Sequence, residues 1–286
     1  MIVVTGATGN VGRTLVRLLT EANAQVTAVS RNITESDVPP GARAISADLT
    51  KPATLRPALD GAEAMFLLIS GDFVSAAGNP SDVVSDILDD AKTSGLKRIV
   101  MLSSQGVATR PESSSHGSTG GAIEDAVRRS GTDWTILRPG GFDSNAYAWA
   151  ESIRAQRAVA APFGDVGLPF IDPDDIAEVA AVTLLQDGHA GQIYELTGPA
   201  LTSPRQRVEA ISDALGQPIQ FIEQTREEAR AQMLQFMPEP VVETTLAIIG
   251  EPTPAEQRIS PDVEQILGRA PRTFADWAQR HIAAFR

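Results

Sequence analysis

The sequence predicts an α/β protein built on a doubly wound parallel sheet, with a smaller C-terminal substrate lobe that is partly interleaved with it. Three observations carry this prediction. Short apolar runs recur with helical patterns between them, a glycine-rich turn joins the first run to the first helix, and this rhythm loosens after about residue 145. Strands that alternate with helices imply a parallel sheet covered on both faces. Ligands of such sheets bind beyond the carboxyl ends of the strands.

The first element is the apolar run 2–4, which leads into Gly6, Gly9 and Gly12 and then into a helical pattern from Thr14. Glycine permits positive φ and lets a phosphate approach the backbone N–H groups. A strand, a glycine turn and a helix N-terminus predict dinucleotide binding, and a βα turn without a ligand is the alternative. The residues predicted to contact the cofactor here are Gly6, Ala7, Thr8, Gly9, Asn10, Val11 and Gly12.

Further strands are predicted from apolar runs that follow in order along the first half. They lie at residues 25–30, 43–47, 64–70, 98–104 and 134–139, with a helix over 83–91 that Gly95 ends.

The second half has fewer strand signals and is punctuated by prolines. We predict helices over 146–157, 174–185, 205–215 and 227–237, a cap at Asp172 and a strand over 193–196. This divides the chain into a cofactor-binding domain, residues 1–145, and a smaller substrate-side lobe, residues 146–286, from which some segments return to the sheet. The Ser- and Gly-rich stretch 113–118 predicts a mobile loop.

Composition excludes several classes of protein. The chain has 286 residues, a formal net charge of −12 and no cysteine. The acidic balance argues against nucleic-acid binding, and no apolar run is long enough to span a membrane. Because the first strand begins at residue 2, no signal peptide is expected and the protein is predicted to be cytoplasmic. The three histidines have no ligand spacing, so no metal site is predicted.

The end of the second predicted strand selects between the two nicotinamide cofactors. An acidic residue there would bind the adenosine 2′-hydroxyl of NAD, but this chain has Ser30 and Arg31, and its next acid is Glu35. Because a guanidinium suits a 2′-phosphate, the sequence predicts NADP(H), and a solvated surface arginine is the alternative.

Other strand ends supply the remaining predicted cofactor contacts. Asp48 and Leu49 would meet the adenine, although an aspartate that caps a turn fits equally. Ser103 and Ser104 either hold a substrate oxygen or only form a loop. The contacts predicted around the nicotinamide half are Ile69, Ser70, Ser103, Pro139, Gly140, Gly141 and Phe142.

His116 and Asn145 are the candidate catalytic residues. His116 has a side chain suited to acid–base work at neutral pH, and a surface histidine without a role is the alternative. Glu124 follows eight residues later, and we expect it to point into the same cleft. Asn145 could bond an oxygen of the acceptor.

With these residues in view, the chain resembles the NmrA-like group of atypical short-chain dehydrogenases/reductases over essentially its whole length. The resemblance implies a Rossmann-type domain, a small substrate lobe and an NADP(H) site. It rests on TGATGNVG at 5–12, SR at 30–31, DL at 48–49, GLKRIVMLSSQGV at 95–107, SGTDWTILRPGGFDSN at 130–145, IDPDDIAEVAA at 171–181, YELTGPALTS at 194–203 and the terminal RTFADWAQRHIAAF.

The resemblance implies one of two functions. Some members resemble NADPH-dependent quinone, dye or enone reductases, and others are redox-sensing regulators that bind NAD(P) and act through protein partners. The Tyr-x-x-x-Lys pair of the wider superfamily is missing, because Glu151 follows Tyr147 and Gly198 follows Tyr194 at that spacing. Where many relatives have a histidine and then a lysine, His116 is followed by Gly120. No lysine occurs after position 97, so alcohol or carbonyl chemistry is disfavoured.

A quinone or a cationic dye accepts hydride readily, so holding NADPH and acceptor face to face in a dry pocket would supply most of the acceleration. Phe142, Phe73 and Trp149 are candidate stacking surfaces, and each fits the core equally well. We therefore predict an NADPH-dependent oxidoreductase that acts on a quinone-like or other activated small molecule. The alternative is a non-catalytic NADP(H) sensor, and both a homodimer and a regulatory protein partner fit the sequence.

Overall fold

The computed structural model describes the backbone of residues 1–286 and every side chain except those of Asp72 and Ser75. The strands are β1 (Ile2–Thr5), β2 (Val26–Ser30), β3 (Ala42–Ser46), β4 (Ala64–Leu68), β5 (Arg98–Leu102), β6 (Asp133–Pro139), β7 (Ala158–Pro162), β8 (Gln192–Leu196) and β9 (Gln220–Gln224). The α-helices are α1 (Asn10–Glu21), α2 (Arg56–Leu59), α3 (Gly71–Ala76), α4 (Pro80–Thr93), α5 (Gly106–Thr109), α6 (Thr119–Arg129), α7 (Ala150–Gln156), α8 (Pro173–Leu185), α9 (Pro204–Leu215), α10 (Arg226–Met233), α11 (Glu239–Gly250), α12 (Asp262–Leu267) and α13 (Phe274–His281).

One parallel sheet of seven strands forms the centre of the molecule, in the order β3-β2-β1-β4-β5-β6-β8. The chain moves from β1 outward to β3 and then returns to continue from β4 on the other side. The strand order therefore reverses between β1 and β4, and their carboxyl ends border the crevice in which such sheets bind ligands. This confirms the predicted doubly wound parallel sheet.

Two apolar layers cover the sheet because successive side chains of a strand point to opposite faces. Val4 packs with α1 and α8, whereas Val3 packs with α4 and α6. Leu15 and Leu19 of α1 are fully buried against the first face. Burying a leucine side chain fully contributes about 2 kcal/mol, so these layers hold the carboxyl ends of the strands in fixed positions.

Segments of the second half join this sheet. β8 pairs with β6, from Thr135 opposite Gln192 to Pro139 opposite Leu196, and α8 packs on α1. The rest of that half has its own core, which centres on Trp277, and it includes a small parallel sheet of β7 and β9.

The structure differs from the sequence prediction mainly in the second half. β7 and β9 were not predicted, because their short runs carry neither clear alternation nor turn signals. The helix expected over 146–157 begins as a 3₁₀ segment, Asp143–Trp149, before α7, and the helix expected over 227–237 ends at Met233.

Residues 114–118 form a π-helical turn, Ser114–Ser118, where the sequence predicted a loop. The hydroxyls of Ser113 and Thr244 lie 2.9 Å apart, and Ser115 Oγ donates to the carbonyl of Pro240. The composition predicted a loop because it did not show the partner of these serines, α11, which lies far along the chain.

Candidate functional site

The glycine turn after β1 brings the chain back on itself within atomic contact. Gly6 has a φ of +65°, and the Gly9 N–H donates to its carbonyl at 3.0 Å. A Cβ on Gly12 would lie 2.2 Å from that same carbonyl oxygen, far inside van der Waals distance. Gly12 is therefore required for the close packing of α1 on β1.

The N-terminus of α1 has no side-chain cap and no acidic residue in its first turn. By contrast, α8, α9 and α13 are capped by the side chains of Asp172, Ser203 and Thr273. α4 and α11 also lack a side-chain cap, but each has an acidic residue in its first turn. The first N–H groups of a helix lack intrahelical acceptors and carry its positive dipole end, so an uncapped terminus favours an anion. These residues fit the pyrophosphate of a dinucleotide.

A cleft of about 340 Å³ opens beside this turn and gathers residues from the ends of β1 to β4. The lining residues that the sequence predicted are Gly6, Thr8, Gly9, Ser30, Arg31, Asp48, Leu49 and Ser70. Those that it did not assign to the cofactor are Ala47, Thr50, Leu68, Phe73 and Ala76. Phe73 is almost fully buried. The sequence indicates its position only through Ser70, because α3 starts directly after that residue.

Polar groups at one end of this cleft suit a 2′-phosphate. The hydroxyls of Thr8 and Ser30 lie 2.9 Å apart, and the Arg13 guanidinium donates to the Thr8 carbonyl at 3.2 Å. Glu35, the first acid after β2, accepts the backbone N–H of Ala44 at 3.1 Å. Its carboxylate is thus held on β3. Arg13 was not predicted, although its place four residues after Gly9 puts it on the first turn of α1.

Asp48 lines the cleft and also stabilises its own turn. One carboxylate oxygen accepts the Thr50 backbone N–H at 3.0 Å and the Thr50 hydroxyl at 2.8 Å. The bond from the Thr50 hydroxyl holds the pKa of Asp48 below its ordinary value. One of the two Asp48 carboxylate oxygens therefore caps the turn, as the alternative interpretation expected. The contact between Asp48 and adenine stays a prediction.

The hydroxyl of Ser103, at the end of β5, is held from below by a buried ionic network. It donates to Glu124 at 2.6 Å, and Arg138 and Arg128 donate to the same carboxylate at 2.6 to 2.9 Å. Glu124 is fully buried. The expectation that Glu124 points into the cleft is therefore wrong, because two arginines and a serine hold it under the sheet end.

The end of β6 packs closely against residues 168–171. The Pro139 carbonyl accepts the Gln105 N–H, the Gly141 carbonyl accepts the Ile171 N–H, and a Cβ on Gly141 would lie 2.6 Å from the ring of Phe170. Phe142 follows, half-buried against the layer of α1 and α8. This close packing leaves little space between the end of β6 and residues 168–171. The contact between the cofactor and Pro139, Gly140 and Gly141 stays a prediction.

His116 and Asn145 lie on the segments that follow β5 and β6. The His116 ring is half-buried, its Nδ1 lies 2.9 Å from Ser115 Oγ, and a Cβ on Gly106 would be 3.0 Å from the His116 Cβ. Burial lowers the pKa of His116, which favours the neutral imidazole. Asn145 is exposed, and its N–H donates to the Phe142 carbonyl.

Both tyrosines of the chain pair with histidines. The Tyr147 hydroxyl lies 2.8 Å from His281 Nδ1, and the Tyr194 hydroxyl lies 2.9 Å from His189 Nδ1. Burial raises the pKa of both phenols. The three lysines of the chain are all in its first 97 residues, so neither tyrosine has the lysine at the spacing of the usual proton relay.

Sequence reasoning missed two buried charges below Phe142. Asp143 is fully buried, and neither of its carboxylate oxygens has a hydrogen-bond partner among the described residues. Burial, with Asp172 nearby, raises the pKa of Asp143 to about 7. The Arg207 guanidinium lies 3.9 Å from the ring centre of Phe170 and 4.9 Å from that of Trp149, and burial lowers its pKa to about 10. Trp149 thus faces Arg207.

Comparison with known proteins identifies the family. A family model described as NAD(P)H-binding matches residues 6–187. The chain belongs to this NAD(P)H-binding family. Its fold is that of the NmrA-like atypical short-chain dehydrogenases/reductases, as the resemblance implied. The chain therefore binds NAD(P)H and belongs to an oxidoreductase family.

Relatives of known activity match over nearly the whole chain. A (4-alkanoyl-5-oxo-2,5-dihydrofuran-3-yl)methyl phosphate reductase of Streptomyces griseus is 33% identical, over 100% of this chain and 99% of its own. An NAD(P)H azoreductase of Xenophilus azovorans is 32% identical over the same shares. Among solved structures, an NADPH-dependent quinone oxidoreductase of Escherichia coli complexed with NADPH superimposes with a TM-score of 0.79 at 22% identity, covering 98% of this chain and 99% of its own.

Within the part of the chain that the structure describes, no helix is long and apolar enough to cross a membrane. No group of three or more His, Asp or Glu side chains there is placed to hold a metal ion.

Proposed function

We propose that the protein is an NADPH-dependent oxidoreductase that transfers hydride to a quinone-like or otherwise activated small molecule without a Tyr/Lys proton relay. The acceptors named for its relatives are an azo compound, a quinone and a (4-alkanoyl-5-oxo-2,5-dihydrofuran-3-yl)methyl phosphate. All three contain an unsaturated group that a hydride can reduce. The proposal extends this class of acceptor to the present chain.

The observation that carries the choice of NADPH is the cleft beside the uncapped N-terminus of α1. Arg31 lines this cleft with Ser30, and Arg13 is fixed over Thr8 at its edge. A 2′-phosphate placed there would gain charge-assisted hydrogen bonds. The first acid after β2, Glu35, is bonded to the backbone of β3. We propose that residues 1–145 hold the cofactor in this way.

The residues that follow β5 and β6 would receive the acceptor. When bound, NADPH supplies the hydride, and the chain has to orient the two partners and exclude water. His116 is held over Gly106 by the π-helical turn, and its neutral ring suits a hydrogen bond to an acceptor oxygen better than proton donation. Asn145 is exposed on the opposite segment and offers a second donor.

The first test is NADPH oxidation by the purified protein against 2-methyl-1,4-naphthoquinone, an azo dye, a triarylmethane dye and an alkanoyl dihydrofuranone. NADH is the control for the cofactor. Rapid turnover of one of these acceptors, faster with NADPH than with NADH at low cofactor concentration, supports the proposal.

Tight NADPH binding without turnover of any acceptor would contradict it and would favour the redox-sensing regulator. Equal affinity for NADPH and NADH would contradict the role proposed for Arg31 while leaving the reductase activity in place.

A further inference from the structure

Four segments meet where the acceptor would bind, and we call them the acceptor rim: residues 105–118, 140–147, 163–170 and 238–257. The side-chain amide of Gln105 donates to the Ala255 carbonyl, and Ser115 donates to that of Pro240. A Cβ on Gly140 would lie 3.6 Å from the Pro169 carbonyl oxygen. The rim therefore closes around the carboxyl ends of β5 and β6.

The acceptor rim is rich in carboxylates and holds a single arginine or lysine. Its acidic residues are Glu112, Asp143, Asp165, Glu239, Glu243, Glu251 and Glu256, and its one such cation is Arg110. Glu112 and Glu251 are exposed and make no ion pair among the described residues. An approaching ligand therefore meets two carboxylates, Glu112 and Glu251, that have no ion pair among the described residues. Arginines hold the carboxylates of Asp165, Glu239, Glu243 and Glu256.

Arg110 does not balance the charges of Glu112 and Glu251, because the carboxylate of Glu256 holds its guanidinium. Its guanidinium donates to both oxygens of Glu256, at 2.7 and 2.8 Å, and to the Glu251 carbonyl at 3.1 Å. Glu256 is only 2% exposed, so the pair is well shielded from solvent. Bidentate pairing of this kind leaves little of the arginine for an anionic ligand.

Arginines that reach the rim from neighbouring helices are also paired. Arg205 lies 3.0 Å from Asp165, and Arg226 lies 3.2 Å from Glu243. Arg230 bonds Glu239 as well as Glu243. The cleft beside the glycine turn differs, because Arg13 lies there beside the Thr8 and Ser30 hydroxyls and an uncapped helix end without an acidic residue in its first turn.

We propose that the acceptor rim selects by charge: the acceptor is uncharged or cationic, and a phosphate, carboxylate or sulfonate group on it is rejected. This rests on the proposed function and specifies its substrate. An anionic group would lose its water beside carboxylates and find no cation to replace it. The same field attracts a cationic acceptor and slows the approach of an anionic one.

Three naphthoquinones of one scaffold test this with saturating NADPH. They are 2-methyl-1,4-naphthoquinone, 1,4-naphthoquinone-2-sulfonate and a trimethylammoniomethyl-1,4-naphthoquinone. Each kcat/KM is divided by the rate constant of the same quinone with free NADPH, which removes differences in intrinsic reactivity. We expect a normalised value about tenfold lower for the sulfonate than for the neutral quinone. Added salt should raise the value for the sulfonate, lower it for the cation and leave the neutral quinone unchanged.

A charge reversal on the rim sharpens the test. Glu112→Lys should raise kcat/KM for the sulfonate about threefold, because it places a cation where the field is now negative. Asp60→Lys is the matched control, since Asp60 is exposed, lies at the opposite edge of the sheet and makes no ion pair among the described residues. Glu243→Gln is a second, milder rim variant that should act in the same direction.

The outcomes separate the two proposals. A sulfonate that is reduced as well as the neutral quinone, with no response to salt or to Glu112→Lys, overturns selection by charge while the reductase stands. No reduction by the NADPH-bound protein of any of the three quinones, or of the other acceptors in the first test, overturns the proposed function, and selection by charge with it.

Discussion

The cofactor cleft and the acceptor rim lie on the same edge of one sheet but are built in different ways. Each wall of the cleft directly follows a strand, as Gly6 follows β1, Arg31 follows β2 and Ser70 lies just past β4. The rim joins segments that are distant in sequence, and the bond from Gln105 to Ala255 spans 150 residues. Cofactor binding is therefore a local property of the chain, whereas the acceptor site depends on the whole fold.

The two regions also differ in how they handle charge. The cleft offers an anion the backbone N–H groups of an uncapped helix, with Arg13 and the hydroxyls of Thr8 and Ser30 beside them. On the rim and beneath it most charges are paired, as Arg110 is with Glu256 and Arg138 with Glu124, and neither oxygen of the buried Asp143 has a hydrogen-bond partner among the described residues. Variants in the two regions should therefore change different properties.

The largest effect is expected in the glycine turn. Gly12→Ala would place a Cβ 2.2 Å from the Gly6 carbonyl oxygen, so α1 must move off β1. We expect NADPH affinity to fall more than about 100-fold and the free energy of unfolding to fall by about 3 kcal/mol, measured by fluorescence titration and urea denaturation.

Gly121→Ala is the matched control for Gly12→Ala. Its Cβ would meet only a Val107 methyl at 3.9 Å, an ordinary contact, so neither binding nor stability should fall. NADPH affinity that survives Gly12→Ala would show that the turn tolerates a side chain and does not form the phosphate site.

Below Phe142, Asp143→Asn should change how stability depends on pH. The pKa of Asp143 is raised to about 7 by burial, with Asp172 and Asp175 adding to the rise and Arg207 and Arg280 opposing it. Between the unfolded pKa and about 7 the folded protein holds a proton that the unfolded chain releases. Stability therefore falls as pH rises through this window, by about 2 kcal/mol between pH 5 and pH 8, and the variant should lack this loss.

Urea denaturation of both proteins at pH 5 and pH 8 measures this difference. Parallel pH dependence of the two proteins would mean that the Asp143 carboxyl has an ordinary pKa and is solvated in the folded state.

For the adenosine end of the cleft, Arg31→Ala should separate the two cofactors. Loss of a charge-assisted contact to the 2′-phosphate costs about 2 kcal/mol, so NADPH affinity should fall about 30-fold while NADH affinity is unchanged. Arg17→Ala is the control, because Arg17 lies further along α1 and pairs with Glu21 at 2.9 Å. An equal loss for both cofactors would place Arg31 elsewhere than at the phosphate.

The smallest effect is expected on the acceptor rim. His116→Ala should lower kcat with a quinone about tenfold and leave NADPH affinity unchanged, because we propose that the ring orients the acceptor and makes no contact with the cofactor. His189→Ala is the control, because His189 pairs with Tyr194 outside the rim. Full activity of His116→Ala would remove this residue from the site.

Much of the cofactor cleft could be predicted from the sequence because its residues stand at strand ends that apolar runs reveal. Phe73 was instead considered for the acceptor, since nothing local shows that α3 turns it back onto the cleft. Ser113 and Ser115 suggested a loop because their partners on α11 lie 131 and 125 residues further along the chain. The burial of Glu124 was equally hidden, because the sequence placed it near the cleft and does not show that Ser103 and Arg138, at the ends of two strands, hold it.

The sequence by itself determined the doubly wound sheet, the glycine turn and the residues at the ends of β1 to β4, because strand period, glycine and turn chemistry act over a few residues. Only the tertiary structure decided where the carboxylates of the rim lie, which arginines they hold and that the buried Asp143 carboxyl has no hydrogen-bond partner among the described residues. Those properties depend on distances between segments far apart in the chain, and burial and charge pairing exist only after the segments have packed.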